Sequence, residues 1–234
     1  MKVHAVWNPS RTAKGAEWVF LIVGLTALDV YVWVNTSTIL YQAYQDWAFD
    51  QRLRELPVTI SQFARDEVRA IVGKEYYKPE LGTVRHLRPS STPGTTPLVP
   101  AGVIGRLAIP HLHLTAMVRE GADSGILRQA VGHIPGTALP GRKGNVGLAG
   151  HRDTFFRPLR NIQPGDAIEL QTGERTYQYI VESTRIVKPQ DVRVLDSSNR
   201  ETLTLVTCYP FYYVGSAPKR FIVQAALAQS SRGD

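Results

Sequence analysis

The stretch from Gly102 onward leaves little room for long helices. It is a succession of short runs rich in β-branched and aromatic residues, at 103–109, 112–118, 146–149, 167–171, 177–186, 202–208 and 220–226. Turn formers separate the runs: Pro135-Gly136, Pro140-Gly141, Pro164-Gly165-Asp166 and Thr172-Gly173. Only residues 123–130 read as a short helix, with Asp123 or Ser124 as its cap. Seven or eight short strands with few helices predict a mainly β domain, a closed barrel or a sandwich.

The first hundred residues have a different texture. Residues 18–34 form a predominantly apolar run, about 25 Å long as a helix against a hydrocarbon core of about 30 Å. Ile39, Leu40 and Tyr41 lengthen it across the polar but uncharged 35–38. Trp18, Trp33 and Tyr41 stand where interfacial aromatics are favoured. Asp29 opposes insertion, since an acid in the bilayer core costs about 2.5 to 3.5 kcal/mol on insertion scales. The run is longer than the apolar part of a signal peptide and no small-x-small cleavage site follows it.

Lys2, Arg11 and Lys14 precede the run and Asp46 and Asp50 follow it, so the positive-inside rule orients the N-terminus to the cytoplasm. The expected organisation is therefore a cytoplasmic N-terminus (1–17), a single-pass transmembrane anchor (18–41) and a helical stalk (42–87). A Pro/Ser/Thr linker (88–101) and an extracytoplasmic β domain (102–234) complete it. Within the stalk Phe63, Val68, Ile71 and Val72 recur at helical spacing, with Pro57 as a break. The same spacing also suits a helical subdomain packed on the β domain.

A net charge of +7 suits an anionic partner such as an acidic lipid or a cell-wall polymer. Zinc-finger, RNA-binding and phosphate-loop signatures are missing, so no nucleic-acid partner is expected. His111, His113 and His133 have no Cys, Asp or Glu at ligand spacing, and no metal or other cofactor is expected. The chain has one cysteine, Cys208, so no intramolecular disulfide can form. A free thiol outside the cytoplasm is a chemical liability that calls for a use.

Three segments supply one. Leu148-Ala149-Gly150-His151-Arg152-Asp153 puts a histidine at the end of an apolar strand, after a glycine where backbone can approach a ligand closely. Thr204-Leu205-Val206-Thr207-Cys208-Tyr209-Pro210 ends a strand on the thiol, and Pro210 biases Tyr209 to extended backbone. Pro218-Lys219-Arg220-Phe221 returns into the next strand, which brings Arg220 back beside Cys208 at the same strand end. A thiol nucleophile needs a proton partner and a group that stabilises charge on the attacked carbonyl. Cys208, His151 and Arg220 are of those types.

Thr-Leu-Val-Thr-Cys at 204–208 followed by Arg on the next strand resembles the sortase family. So does the order Gly132-His133-Ile134-Pro135-Gly136-Thr137, Gly144-Asn145 and Gly150-His151-Arg152-Asp153-Thr154. The likeness covers about 102–227, and Tyr209-Pro210-Phe211 with the segment 215–220 is most similar to class D members.

The resemblance implies an eight-stranded sortase barrel and a cell-envelope transpeptidase. Cys208 would attack the Thr carbonyl of an LPxTG-like sorting signal to give a thioacyl intermediate. His151 would act as acid and then base, and Arg220 would stabilise the oxyanion or position the substrate. Thr207, Leu205 and Asp153 are the expected supporting residues; Asp153 either orients the imidazole or caps the following turn. The implied partners are surface proteins carrying such signals, an amine acceptor (peptidoglycan precursor or pilin lysine) and the cytoplasmic membrane. Some sortases bind calcium near the region of Asp191, Asp196 and Glu201, but no such site is expected here. Other thiol enzymes fit less well. The Ser-x-Gly-Cys context of L,D-transpeptidases is missing, and papain-like proteases place cysteine before histidine.

Overall fold

The computed structural model describes residues 11–54, 56, 58–72, 102–213 and 215–232. The linker expected over 88–101 and residues 73–87 of the expected stalk lie outside them, as do the first ten residues. Among the described residues three α-helices are present, α1 (Arg11–Leu53), α2 (Ile60–Val72) and α3 (Ser124–Gln129). The chain divides into two compact units, Met1–Tyr41 and Gln42–Asp234.

In the first unit, helix α1 presents its apolar side chains outward. From Trp18 to Trp33 the large hydrophobic residues are 50% to 77% exposed. Among the described residues no helix is long and apolar enough to cross a membrane. Residues 18–41, the expected anchor, are helical within α1, and the sequence shows what limits their apolar length. Asp29 interrupts the apolar run, and the polar residues 35–38 close it before about 20 apolar residues are reached.

In the second unit, α1 continues over 42–53 and α2 packs back against it. The rings of Tyr44, Trp47 and Phe63 cluster at centroid distances of 5.3 to 6.2 Å. The Trp47 indole donates to Asp66 Oδ2 at 3.0 Å. The same end of α1 seats on the β domain. Phe49 is buried beside Val103 and Met117. Arg106 pairs with Asp46 at 2.6 Å and Asp50 at 2.5 Å, its guanidinium 5.2 Å from the Phe49 ring. Residues 42–53 therefore cover strands of the barrel.

Eight strands close into a barrel: β1 (Val103–Ile109), β2 (Leu114–Glu120), β3 (Val131–His133), β4 (Gly144–Ala149), β5 (Ala167–Thr172), β6 (Arg175–Val187), β7 (Glu201–Tyr209) and β8 (Lys219–Arg232). Around the barrel they run β1-β2-β3-β4-β7-β8-β6-β5, with β5 returning to β1. The closed barrel, not the sandwich, is the outcome, and closure leaves no free edge. The pairs β2–β3 and β4–β7 are parallel and the others antiparallel. A parallel pair needs a crossover, and α3 supplies the one between β2 and β3.

Alternation fills the interior, with β1 strictly alternating buried and half-buried residues. Leu107, Leu148, Leu170, Leu203, Leu205 and Val223 meet in one fully buried core. Burying each such side chain contributes about 1.5 to 3 kcal/mol.

The second strand starts two residues later than the sequence predicts, because Pro110–Leu112 forms a 3-10 turn. Strand β3 was not expected; its three residues are too few for an alternation to register. Asp123 is the cap of α3, accepting from Gly125 N at 2.8 Å and Ile126 N at 3.1 Å.

Candidate active site

Strand register places the chemistry-bearing residues. In the parallel β4–β7 ladder Leu148 pairs with Leu205 and Ala149 with Val206. The contact continues past the last ladder pair: Gly150 N donates to Val206 O at 3.2 Å, and the Thr207 hydroxyl donates to Gly150 O at 2.7 Å. One step further along both chains, His151 comes beside Cys208. On the other side of β7, Cys208 pairs with Arg220 across the antiparallel ladder. Strands β7 and β8 thus pair Cys208 with Arg220, and the chain leaving β4 carries His151 along β7 at the same end of the barrel.

Paired residues across a ladder share a face, and neighbours along a strand alternate. Leu203 and Leu205 point into the core, so Val206 lies on the opposite, outer face with Cys208 two residues on. Val223 and Ala225 point inward on β8, so Arg220 is on that outer face too. Lys219 alternates away and is exposed. Cys208, His151 and Arg220 are each half-buried, so a reagent can reach the thiol while its surroundings stay partly dry.

Deeper on the same face the strands are covered. A Cβ at Gly147 would approach Thr137 Cγ2 at 2.9 Å and Leu195 Cδ2 at 3.1 Å, so the β3–β4 and β6–β7 connections close over it. What remains open is a strip floored by Ala149 and Val206, both half-buried, that ends at His151 and Cys208.

No hydrogen bond joins the Cys208 thiol, His151 and Asp153 among the described residues. A Cys–His contact commonly tightens only when substrate binds. Asp153 is exposed in the turn 152–156, closed where Phe156 N donates to His151 O at 3.0 Å. The Arg220 Nη1 donates to Ala217 O at 3.2 Å and Lys219 O at 3.0 Å, both in the β7–β8 loop and its exit. Leu205 is 0% exposed, in the core behind the strand. Thr207 is 2% exposed with its hydroxyl spent on Gly150 O, so it fastens β7 to β4 one residue before the thiol.

Gly150 makes a close approach to the protein itself. A Cβ there would come within 2.8 to 3.0 Å of the buried Phe156 ring. The histidines do meet carboxylates, although spacing along the chain does not reveal it. His133 Nδ1 lies 2.8 Å from Glu120 and His111 Nδ1 lies 2.8 Å from Asp166. Each has a single acid, and among the described residues no group of three or more His, Cys, Asp or Glu could hold a metal ion.

A sortase-domain family model matches residues 107–228, just over half the chain and the whole of the strip just described. The chain belongs to the sortase family. Sortase D of Bacillus subtilis is 38% identical over 120 residues, which are 51% of this chain and 61% of that protein. The chain therefore spans about three-fifths of that relative's length. Among solved structures, a Clostridium perfringens sortase D5 transpeptidase superposes with a TM-score of 0.50 at 30% identity, over 54% of this chain and 79% of that one. Listeria monocytogenes sortase A gives 0.52 at 27% identity, over 56% and 90%. Sortases are cysteine transpeptidases of the cell surface.

Two features of this sortase barrel have no counterpart in the motif reading. Arg152 reaches from the residue after His151 to the β7–β8 loop, its Nη2 donating to Tyr213 O at 2.7 Å and Gly215 O at 3.1 Å. Arg160 does the same with the Tyr212 hydroxyl, its guanidinium 5.5 Å from that ring. At the start of the loop Tyr209, Phe211 and Phe221 pack edge-to-face or stacked at 5.3 to 6.4 Å. The arginine partners of Tyr212 and Tyr213 are 52 and 61 residues away along the chain, beyond the reach of local sequence signals.

Proposed function

We propose that this chain is a cell-envelope cysteine transpeptidase, and that Cys208, His151 and Arg220 carry the reaction. The observation that carries the proposal is the register that pairs Cys208 with Arg220 and ties Gly150, directly before His151, to β7 at Val206 and Thr207, with Cys208 the only thiol in the chain. The Cys208 thiolate attacks the Thr carbonyl of an LPxTG-like signal, forming a C–S bond. The C–N bond to the following residue then breaks, and His151 gives its proton to the departing amine. An incoming amine, from a peptidoglycan precursor or a pilin lysine, attacks the thioester. It loses its proton to His151 and the thiolate leaves. Arg220 faces the carbonyl oxygen as its charge grows, a role suited to a permanently charged fork of donors.

Thr207 and Leu205 act here by holding the strand that carries Cys208. The remaining proposed role of Asp153 is to shape the turn after His151.

The N-terminal helix is the proposed attachment to the cytoplasmic membrane, with residues 42–234 outside. Supporting this are the apolar side chains exposed along 18–33 and the cations Lys2, Arg11 and Lys14 before them. Extraction tests it: the full chain should stay with membranes in alkaline carbonate and leave them in detergent, whereas release by carbonate contradicts insertion.

Activity is tested with an LPxTG-type peptide and an amine acceptor. Wild type should give ligated product and Cys208→Ala none. His151→Ala should lose about 10²- to 10⁴-fold or more of turnover. Arg220→Lys should also be poor, because a point ammonium cannot replace the guanidinium fork. Unchanged melting temperatures must accompany these losses.

A further inference from the structure

We infer that Arg152 is a positioning residue of this site, latching the β7–β8 loop to the end of β4 and so setting where the Arg220 guanidinium lies. The inference rests on the transpeptidase reading above. Arg152 follows His151 directly, so any group it holds is held in register with the proposed acid and base. It holds the loop at two carbonyls, Tyr213 O at 2.7 Å and Gly215 O at 3.1 Å, and its guanidinium lies 5.7 Å from the Tyr213 ring. Two residues beyond Gly215, Ala217 O accepts from Arg220 Nη1 at 3.2 Å. A continuous path therefore runs from His151 through Arg152, the loop and Ala217 to Arg220.

Packing alone holds this loop weakly. Tyr212 is 72% exposed and Tyr213 is 47% exposed, and among the described residues the β7–β8 ladder ends at the Tyr209–Lys219 pair. The aromatic cluster of Tyr209, Phe211 and Phe221 secures only its start. From Tyr212 onward, the Arg152 and Arg160 contacts fasten it among the described residues. A charged donor fork spanning two carbonyls fixes direction as well as distance, which a lysine at 152 cannot reproduce.

The test compares Arg152→Ala and Arg152→Lys with wild type by two readouts. Amide hydrogen exchange over 210–218 is measured without substrate, and kcat and KM are measured with an LPxTG-type peptide and an amine. In Arg152→Ala, exchange in the loop should accelerate while the barrel strands keep wild-type protection. The ratio kcat/KM should fall about 10- to 100-fold, mostly in kcat, the scale expected for a misplacement of about 1 Å. Arg152→Lys should recover part of the charge but little of the loop protection. Wild-type exchange over 210–218 in Arg152→Ala overturns the latch, and faster exchange with wild-type kcat overturns its role in positioning. If the alanine variant does not fold, Arg152→Gln carries the same comparison. A wild-type protein that forms no ligated product refutes the transpeptidase reading instead, and the exchange measurement still decides the latch.

Discussion

Replacing Gly150 by alanine adds one methyl group at the point where β4 delivers His151. In the structure that carbon would lie 2.8 Å from Phe156 Cδ2, 2.9 Å from Cγ and 3.0 Å from Cε2. All three are closer than ordinary carbon contacts of about 3.5 to 4.0 Å. The ring cannot step aside cheaply, because Phe156 is 0% exposed and packed in the barrel core. Either the ring or the end of β4 must move by several tenths of an ångström. Overpacking of this kind costs about 1 to 3 kcal/mol, which lowers the melting temperature by about 3 to 10 °C in a domain of this size.

If β4 moves, His151 moves with it, and kcat/KM should drop by about ten- to a hundredfold beyond any loss of folded protein. Phe156→Leu makes room for the methyl group. In the double variant the two stability losses should therefore sum to less than the singles, with a coupling of about 1 kcal/mol. Thermal melts and steady-state ligation assays on the four proteins of the cycle measure both effects. Additive losses, or a Gly150→Ala protein that melts and turns over like wild type, would refute the contact as the cause.

Thr207→Val keeps the shape of the side chain but removes the donor to Gly150 O. A buried carbonyl left unpaired costs about 1 to 3 kcal/mol, so the melting temperature should fall and, if register matters, kcat with it; an unchanged kcat separates the strand tie from catalysis. Tyr179 is fully buried with its hydroxyl unpartnered among the described residues, so Tyr179→Phe should stabilise the barrel by about 1 kcal/mol. Burial also pushes the Tyr179 phenol above its ordinary value, with Glu201 and Tyr177 adding to the shift. Its contribution is fully present below the unfolded value of about 10 and is lost as pH rises past it, so Tyr179→Phe should flatten alkaline unfolding; equal alkaline midpoints would contradict this. Asp123, held below the usual carboxylate range first by the Ile126 amide and then by Gly125, contributes above the unfolded value and loses it as pH falls. Asp123→Ala should then lower the melting temperature at neutral pH and not at strongly acid pH. A cysteine–histidine pair needs one partner protonated and the other not, so kcat/KM against pH should be bell-shaped with limits belonging to the pair; a rate without an alkaline limb removes the acid role of His151.

The barrel was legible because its strands carry period-two alternation between clear turn signals, as in 103–109 and 202–208. The three-residue β3 was not, since nothing so short can show a period. At the site, residue types along the chain pointed to Cys208, His151 and Arg220, and the order of strands then brought them to one end of the barrel. What the sequence could not convey was contact at a distance. Gly150 faces the Phe156 ring, and Arg152 and Arg160 find partners 52 to 63 residues away. Thr207 and Leu205 sit in the motif beside the thiol, but strand alternation turns them away from the open strip and toward the fold. At the N-terminus, Asp29 and the polar 35–38 interrupt the apolar run, and among the described residues no helix is long and apolar enough to cross a membrane.

The central claim is that Cys208 becomes acylated by the substrate, and intact-protein mass spectrometry tests it most directly. Wild type mixed with an LPxTG-type peptide, and quenched in acid before the amine is added, should gain the mass of the peptide up to its Thr. The adduct should map to Cys208, disappear when the amine acceptor is supplied, and reappear as ligated product. Cys208→Ala should acquire no mass under the same conditions. Ligated product formed by Cys208→Ala, or turnover in wild type without any adduct on Cys208, would contradict the account.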